Sequence, residues 1–267
     1  MPVYWFALSQ VVEKDWTKAI LIFIVLHVLL YPASNGYNSY MDRDQGSIGG
    51  LKTPLQPTRQ LLYATVGLDC AAVILSCFVS FVFLGGIIAF IIASKAYSYR
   101  GIRLKKYPVT GYLTVVLFQG ALIFFLVFQG CHLNNYSGFP LAALTGSTLL
   151  IGGFYPLTQI YQHQQDSNDG VKTLSIVLGY RGTFLFAAAM YMLAFCTLTF
   201  YFMESLEIKE FFVFATCMLP VLVYFLLWAR KVWKDEKQAN FSNTMRMNFI
   251  GAFCSNLAFI LILITNQ

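Results

Sequence analysis

The sequence predicts an all-α fold, a polytopic transmembrane helical bundle of eight full spans plus an N-terminal partial span. Three observations predict it. First, 58% of the 267 residues are hydrophobic and 11% are charged, against about 45–50% and 25% in soluble domains. Mean hydropathy is +0.63. Second, the apolar residues fall into long runs. Third, the basic residues collect on alternate connections. A chain of this length holds about eight spans of ~20 residues, so residues 1–267 are read as one integral membrane domain.

In chain order, Met1–Val12 is apolar enough for half a span. It carries no positive n-region and no small-residue cleavage site, so it does not read as a signal peptide. Full spans are expected at Thr17–Ala33, Leu61–Phe83, Gly85–Tyr97, Gly111–Cys131, Phe139–Tyr161, Thr183–Met203, Glu210–Val232 and Thr244–Thr265. The third is short, and Gly85-Gly86 is taken as the break before it. Six cysteines lie in or beside these runs without CxxC spacing, which supports neither a disulfide framework nor a zinc site.

The net charge of +6 is explained by topology rather than by nucleic acid. Fifteen of the 18 Lys and Arg fall on one set of loops and flanks, and only Lys14, Lys18 and Lys209 on the other. The positive-inside rule makes the first set cytoplasmic. An integral, multi-pass membrane protein follows; in a bacterium this is the cell inner membrane. Three unusual polar loops, Ser34–Gln60, Ser98–Thr110 and Gln162–Gly182, share the cytoplasmic face and can converge on one substrate in a central cavity open to that side.

The first loop opens with Asn35, Asn38 and Asp42 on one helix face, followed by Asp44. These oxygen donors suit Mg²⁺, which often shares its shell with substrate phosphates; a solvated helix end with Asx turns is the alternative. In the third loop Gln162 and Asp166 share a face, Asp169 follows, and Gly170 is a helix stop. Together the two acidic ends could clamp a diphosphate through one or two Mg²⁺ ions, or each could be a capped loop. His163 has no Cys or second His at ligand spacing and reads as interfacial. Between them lies a basic patch, Arg100, Arg103, Lys105 and Lys106, interleaved with Tyr97, Tyr99 and Tyr107. It suits phosphate capture, and equally topology or attraction to anionic membrane lipid. Within the spans, Asp69 could contact an acceptor, relay a proton, or be a hydrogen-bonded structural acid. Gln119, Gln159, Asn248 and Asn256 read as helix-to-helix hydrogen bonders. The 25 Phe and 16 Tyr could wall an isoprenoid cavity, or simply pack and face lipid.

The two acidic motifs in this order resemble the UbiA-type membrane prenyltransferase superfamily. The first reads Asn38-Ser39-Tyr40-Met41-Asp42-Arg43-Asp44-Gln45-Gly46. The second reads Gln162-His163-Gln164-Gln165-Asp166, then Gly170-Val171-Lys172-Thr173-Leu174 and Gly179. The basic loop, with Tyr97-Ser98 and Ile102-Arg103-Leu104-Lys105, resembles the segment after that family's fourth helix. The likeness covers nearly the whole chain. Ser39, Gly46 and Gln162 stand where the family has acids, with Asp44 and Asp169 as substitutes at different spacing. The family normally opens with a complete first helix, so either an upstream start or a shortened first helix is expected.

The resemblance implies transfer of a polyprenyl group from its diphosphate to a small aromatic or other lipophilic acceptor, as in quinone-type biosynthesis. Asn38, Asp42 and Asp166 would be catalytic, with Asn38, Asp42, Asp44, Asp166 and Asp169 as Mg²⁺ donors. Tyr97, Arg100, Arg103, Lys105, Lys106, Lys172 and Asp69 would contact substrate. Two other readings are a diphosphate-binding member without turnover and a small-solute transporter. No residue separates a benzoate from a naphthoate or a non-aromatic acceptor.

Overall fold

The computed structural model describes residues 1–43, 46–133 and 138–265. Among these, nine helices follow in order and no strand is formed. They are α1 (Pro2–Ser9), α2 (Trp16–Asp42), α3 (Arg59–Ser76), α4 (Phe81–Ser98), α5 (Pro108–Gly130), α6 (Leu141–Asn168), α7 (Leu174–Glu204), α8 (Ile208–Lys234) and α9 (Phe241–Thr265). Seven of them, all but α1 and α3, are long and apolar enough to cross a membrane. The chain is therefore an integral, multi-pass membrane protein.

Local chemistry sets the boundaries. Asp15 caps α2 by accepting from the Lys18 amide at 3.0 Å. Within α2 the turns widen to a π-helix over Val25–Leu30, just ahead of Pro32, whose ring would clash with a regular turn. The helix then runs on through the first polar motif instead of stopping at Ala33. It ends at Arg43, which takes a left-handed conformation. Thr173 caps α7 by accepting from the Ile176 amide at 3.3 Å.

One expected boundary is corrected. Gly85-Gly86 does not separate two spans; it lies inside α4. The break falls at Cys77–Ser80, where the chain turns and Ser80 accepts from the Phe83 amide at 3.1 Å. Gly86 is a packing residue: a Cβ there would sit 2.4 Å from Leu126 Cδ2. The third run therefore starts earlier than expected, and α4 has 18 residues. Likewise α7 begins at Leu174 rather than Thr183, and a kink at Gly179 divides it.

Two buried clusters frame the interior. At the end away from the motifs, Phe6, Ile22, Leu26, Phe83, Phe124, Phe202 and Phe259 form one core. The short α1 plugs it: Phe6 stacks on Phe259 at 4.4 Å and meets Phe124 edge-on. Toward the motif end, Leu157, Ile160, Phe184, Phe225, Trp228 and Met247 join α6 to α9. Between them a cavity of about 550 Å³ is left, lined from α2, α4, α5, α6 and α9.

Candidate active site

The first motif occupies the last turns of α2. Asn38 Oδ1 accepts from Ser98 Oγ at 2.7 Å, and one turn earlier Ser34 and Ser94 share a 2.6 Å hydroxyl bond. These two bonds lock α2 to α4 in register. Asp42, one turn beyond Asn38, is deeply buried and ion-paired with Lys105; Arg103 Nη2 lies 3.7 Å from the same oxygen.

The second motif is carried by α6 after a 3₁₀ turn at Ile160–Gln162. Its last helical piece, His163–Asn168, stops where Gly170 takes φ +68° and the Val171 amide donates to the Asp166 carbonyl at 2.8 Å. His163 Nε2 lies 2.7 Å from Ser175 Oγ, and the ring stacks on Tyr180. This histidine fastens α6 to α7.

Arg103 joins the two motifs. Its Nη2 pairs with the Asp169 carboxylate and approaches Asp42, while Nη1 donates to the Asp169 carbonyl at 3.1 Å. Arg100 adds a second strap. It donates to the Met41 carbonyl at 2.8 Å and the Asp42 carbonyl at 3.3 Å, and stands 3.5 Å from Asp169 Oδ1. Partial burial would raise the Asp169 carboxyl, but Arg103, Arg100 and Lys105 outweigh it and hold the group below the usual carboxylate range. The loop after α2 closes the ring, since Gln162 Nε2 donates to the Ser47 carbonyl at 3.4 Å. Gly46 lies so near Gln165 that a Cβ would come within 2.7 Å of Oε1. Tyr97 and Tyr155 are hydrogen-bonded, and Tyr155 accepts from Gln159 Nε2 at 2.9 Å.

The structure thus brings Asn38, Asp42, Asp166, Asp169, Tyr97, Arg100, Arg103 and Lys105 to one end of the bundle. Asp44 lies outside the described residues. Lys106 is exposed over the Tyr107 ring, and Lys172 is exposed. Asp69 is not among the cavity-lining residues. It pairs with Lys95 at 2.6 Å, and Lys95 also sits 4.0 Å above the Tyr37 ring. Ser98, Tyr155 and Gln159 were not singled out for the site. The signal for Tyr155 and Gln159 was a stripe on α6, since Tyr155, Gln159, Gln162 and Asp166 recur at helical spacing; Ser98 lies on α4, beside Tyr97.

The donors Asn38, Asp42, Asp166 and Asp169 are all oxygen and suit a hard divalent cation. Among the described residues no three His, Cys, Asp or Glu stand close enough to hold a metal by themselves. Such an ion would complete its shell with water or phosphate oxygens, as Mg²⁺ usually does. The donor chemistry therefore fits an ion that arrives with a diphosphate.

A bundle of long apolar helices, with two polar motifs clamped at one end around a cavity, defines a membrane-embedded enzyme of the prenyltransferase kind. The sequence profile of the UbiA prenyltransferase family matches residues 1–250, and the chain belongs to that family. Comparison with curated proteins gives no match. Among solved structures it is similar to a UbiA homolog from Archaeoglobus fulgidus bound to DMAPP and Mg²⁺. The TM-score is 0.75 at 17% identity, covering 99% of this chain and 93% of that one. The same homolog bound to GPP and Mg²⁺ gives 0.72 at 17% identity, covering 98% and 94%. A structure of digeranylgeranylglyceryl phosphate synthase gives 0.65 at 19% identity, covering 99% and 92%.

Proposed function

We propose that this chain transfers a polyprenyl group from its diphosphate to an acceptor, attacked at an aromatic ring carbon, with Mg²⁺ as cofactor and at the cytoplasmic face. One observation carries the reading: Arg103 spans the two motifs, touching Asp42 of the first and Asp169 of the second. Two carboxylate-bearing helix tips that are far apart in the chain, at Asp42 and Asp169, so meet at the mouth of one cavity. The A. fulgidus homolog, solved with prenyl diphosphates and Mg²⁺, supports the substrate class and the metal.

Asn38, Asp42 and Asp166, with Asp169, would hold the metal. When bound, Mg²⁺ would offset the charge that builds on the departing diphosphate. The chain's own cations are already gathered there. Arg100, Arg103 and Lys105 neutralise Asp42 and Asp169, and would be placed to meet the phosphates if those acids held the metal. Where the family pattern has a leading acid, Gln162 offers a neutral amide that ties the two loops without repulsion. The reaction breaks the C1–O bond, and the diphosphate leaves with the electron pair. A bond forms between C1 and the ring carbon, which gives up its proton. Phe90, Phe118 and the tyrosines of the cavity keep water from the allylic centre.

A second reading, binding without turnover, is favoured by the loss of three motif acids and by the cations that occupy Asp42. The test is purified protein with a labelled prenyl diphosphate and an acceptor panel, with and without Mg²⁺. Product that requires Mg²⁺ is expected. Asp42→Ala and Asp166→Ala should each lower turnover about 100-fold or more. Mg²⁺-dependent binding without product selects the second reading. Neither binding nor product returns the chain to the transporter class.

A further inference from the structure

A second concavity lies outside the site, at the motif end of α9. It is a groove of about 760 Å³ lined by Lys52, Ser242, Met245, Arg246, Phe249 and Ile250 among others. Among the described residues that line it there is no acid. Its two cations differ from those of the site. Arg100, Arg103 and Lys105 pair with Asp42 and Asp169, whereas among the described residues neither Lys52 nor Arg246 forms an ion pair. Both are exposed.

Below the cations the wall is apolar. Arg246 is the sixth residue of α9, about 8 Å from its start at 1.5 Å per residue. Phe249 follows at i+3 and Phe253 at i+7, so the three share a face. The two rings stack with centroids 6.3 Å apart, and both stand exposed on a helix long and apolar enough to cross a membrane. A cationic rim above an apolar stripe matches an anionic amphiphile seated at the membrane boundary. We infer that this groove binds an anionic phospholipid of the surrounding bilayer, its phosphate between Lys52 and Arg246 and one acyl chain along Phe249 and Phe253.

Charge and shape select that ligand. Arg246 offers a planar fork and Lys52 a point charge to one phosphate. A zwitterionic headgroup brings a quaternary ammonium that these cations repel and no lining acid receives. A free phosphate satisfies the cations but covers no apolar surface, so Phe249 and Ile250 add nothing to its binding. The seat also has a consequence for the active-site cavity. Ile48 and Leu51 exchange backbone hydrogen bonds at 2.9 and 3.0 Å, and the turn between them rests on α9, where the Gly50 amide donates to Met245 Sδ at 3.4 Å. Ile48 and Leu51 line the cavity, Lys52 lines the groove, and Met245 lines both. The turn and the thioether are thus a partition between groove and cavity. A headgroup held by Lys52 from the turn and by Arg246 from α9 braces that partition.

The test uses the purified full chain in neutral detergent. The probes are dioleoyl phosphatidylglycerol and dioleoyl phosphatidylcholine, which share their chains and differ in charge. Native mass spectrometry counts the bound lipid and reads its affinity. The first phosphatidylglycerol should bind about tenfold or more tightly than phosphatidylcholine, the scale expected of two basic residues facing one anionic headgroup. Lys52→Gln combined with Arg246→Gln should abolish that preference. Arg230→Gln combined with Lys234→Gln, at exposed cations on the end of α8 outside the groove, should leave it unchanged. Hydrogen exchange at residues 48–52 should slow several-fold with phosphatidylglycerol bound, and should not respond in the Lys52, Arg246 variant. Equal affinity for the two lipids, or equal loss in both paired variants, means general attraction to basic residues and overturns the site. Displacement of phosphatidylglycerol by sodium phosphate at matched ionic strength makes it a free-anion site, and displacement by geranyl diphosphate makes it a substrate station; either overturns the lipid assignment. Unchanged exchange at residues 48–52 overturns the brace. If the Lys52, Arg246 variant fails to fold, the wild-type lipid preference and its resistance to phosphate decide. None of these readouts requires turnover, so the outcome is independent of the transferase reading.

Discussion

Arg103 holds a left-handed backbone, φ 53° and ψ 58°, although it carries a Cβ. Non-glycine residues rarely stay there unless their surroundings fix them. Here the fixing contacts are Asp42 and Asp169, and the strained turn aims the guanidinium between two loops. A charged side chain with 8% of its surface exposed is tolerable only because it is paired. Arg103→Ala should lower stability by about 1.5–3 kcal/mol, the range for hydrogen bonds to charged groups, and raise the prenyl diphosphate KM. Arg103→Lys should not rescue it, because an ammonium lacks the planar fork that reaches two carboxylates. Melting temperature and prenyl diphosphate kinetics on both variants check this, and wild-type behaviour of Arg103→Lys would remove the bridging role. The residue types of the site were legible in the sequence because metal and phosphate chemistry needs oxygens and cations at helical spacing. Their pairing was not. A basic loop can face phosphate or the protein's own acids, and sequence alone does not say that Lys105 pairs with Asp42. Asp69 was read for depth and charge, but its partner Lys95 lies on another helix.

The elements reach further than hydropathy suggests. Apolar runs mark the part of a helix that meets lipid, whereas helix ends are set by caps and left-handed residues. Hence α2 continues nine residues past the expected Ala33 to Asp42, and its last turns present the motif at full helical register. The break between α3 and α4 was misplaced because Gly-Gly signals a turn in water but close packing between membrane helices. Gly179 is the opposite case. Its φ of 68° with ψ of 177° lies in a region open essentially to glycine alone. The kink turns the first piece of α7 back toward α6, where Ser175 meets both His163 and Thr183, and Thr183 Oγ1 donates to the Gly179 carbonyl at 2.7 Å. Gly179→Ala should therefore destabilise the protein by about 1–3 kcal/mol and loosen the loop that carries Asp166 and Asp169. A fall in melting temperature together with a raised KM for prenyl diphosphate is the expected pair of changes. An unchanged melting temperature would show that the kink relaxes freely.

At the scale of the whole molecule, the design is a bundle sealed at one end and open at the other. The sealed end is aromatic and is tied through its loops, where Asp15 donates to the Cys131 carbonyl at 2.8 Å and Leu133 to the Glu13 carbonyl at 3.0 Å. The open end holds every charge the site uses. Charge distribution and site location are therefore one problem, because the basic residues that orient the chain during insertion are partly the ones that grip the motifs. If the positive-inside rule governs, the α7–α8 turn and the tie between α1 and α2 face outward. The α8–α9 turn and both motifs face the cytoplasm. The consequence can be measured in intact cells with a membrane-impermeant maleimide, after the six native cysteines are replaced. Ser205→Cys, exposed on the α7–α8 turn, should react at once. Lys237→Cys, exposed on the α8–α9 turn, should react only when the membrane is permeabilised. The reverse pattern would put the diphosphate mouth outside, away from a cytoplasmic supply of prenyl diphosphate, and the cytoplasmic assignment would fall even with the fold intact.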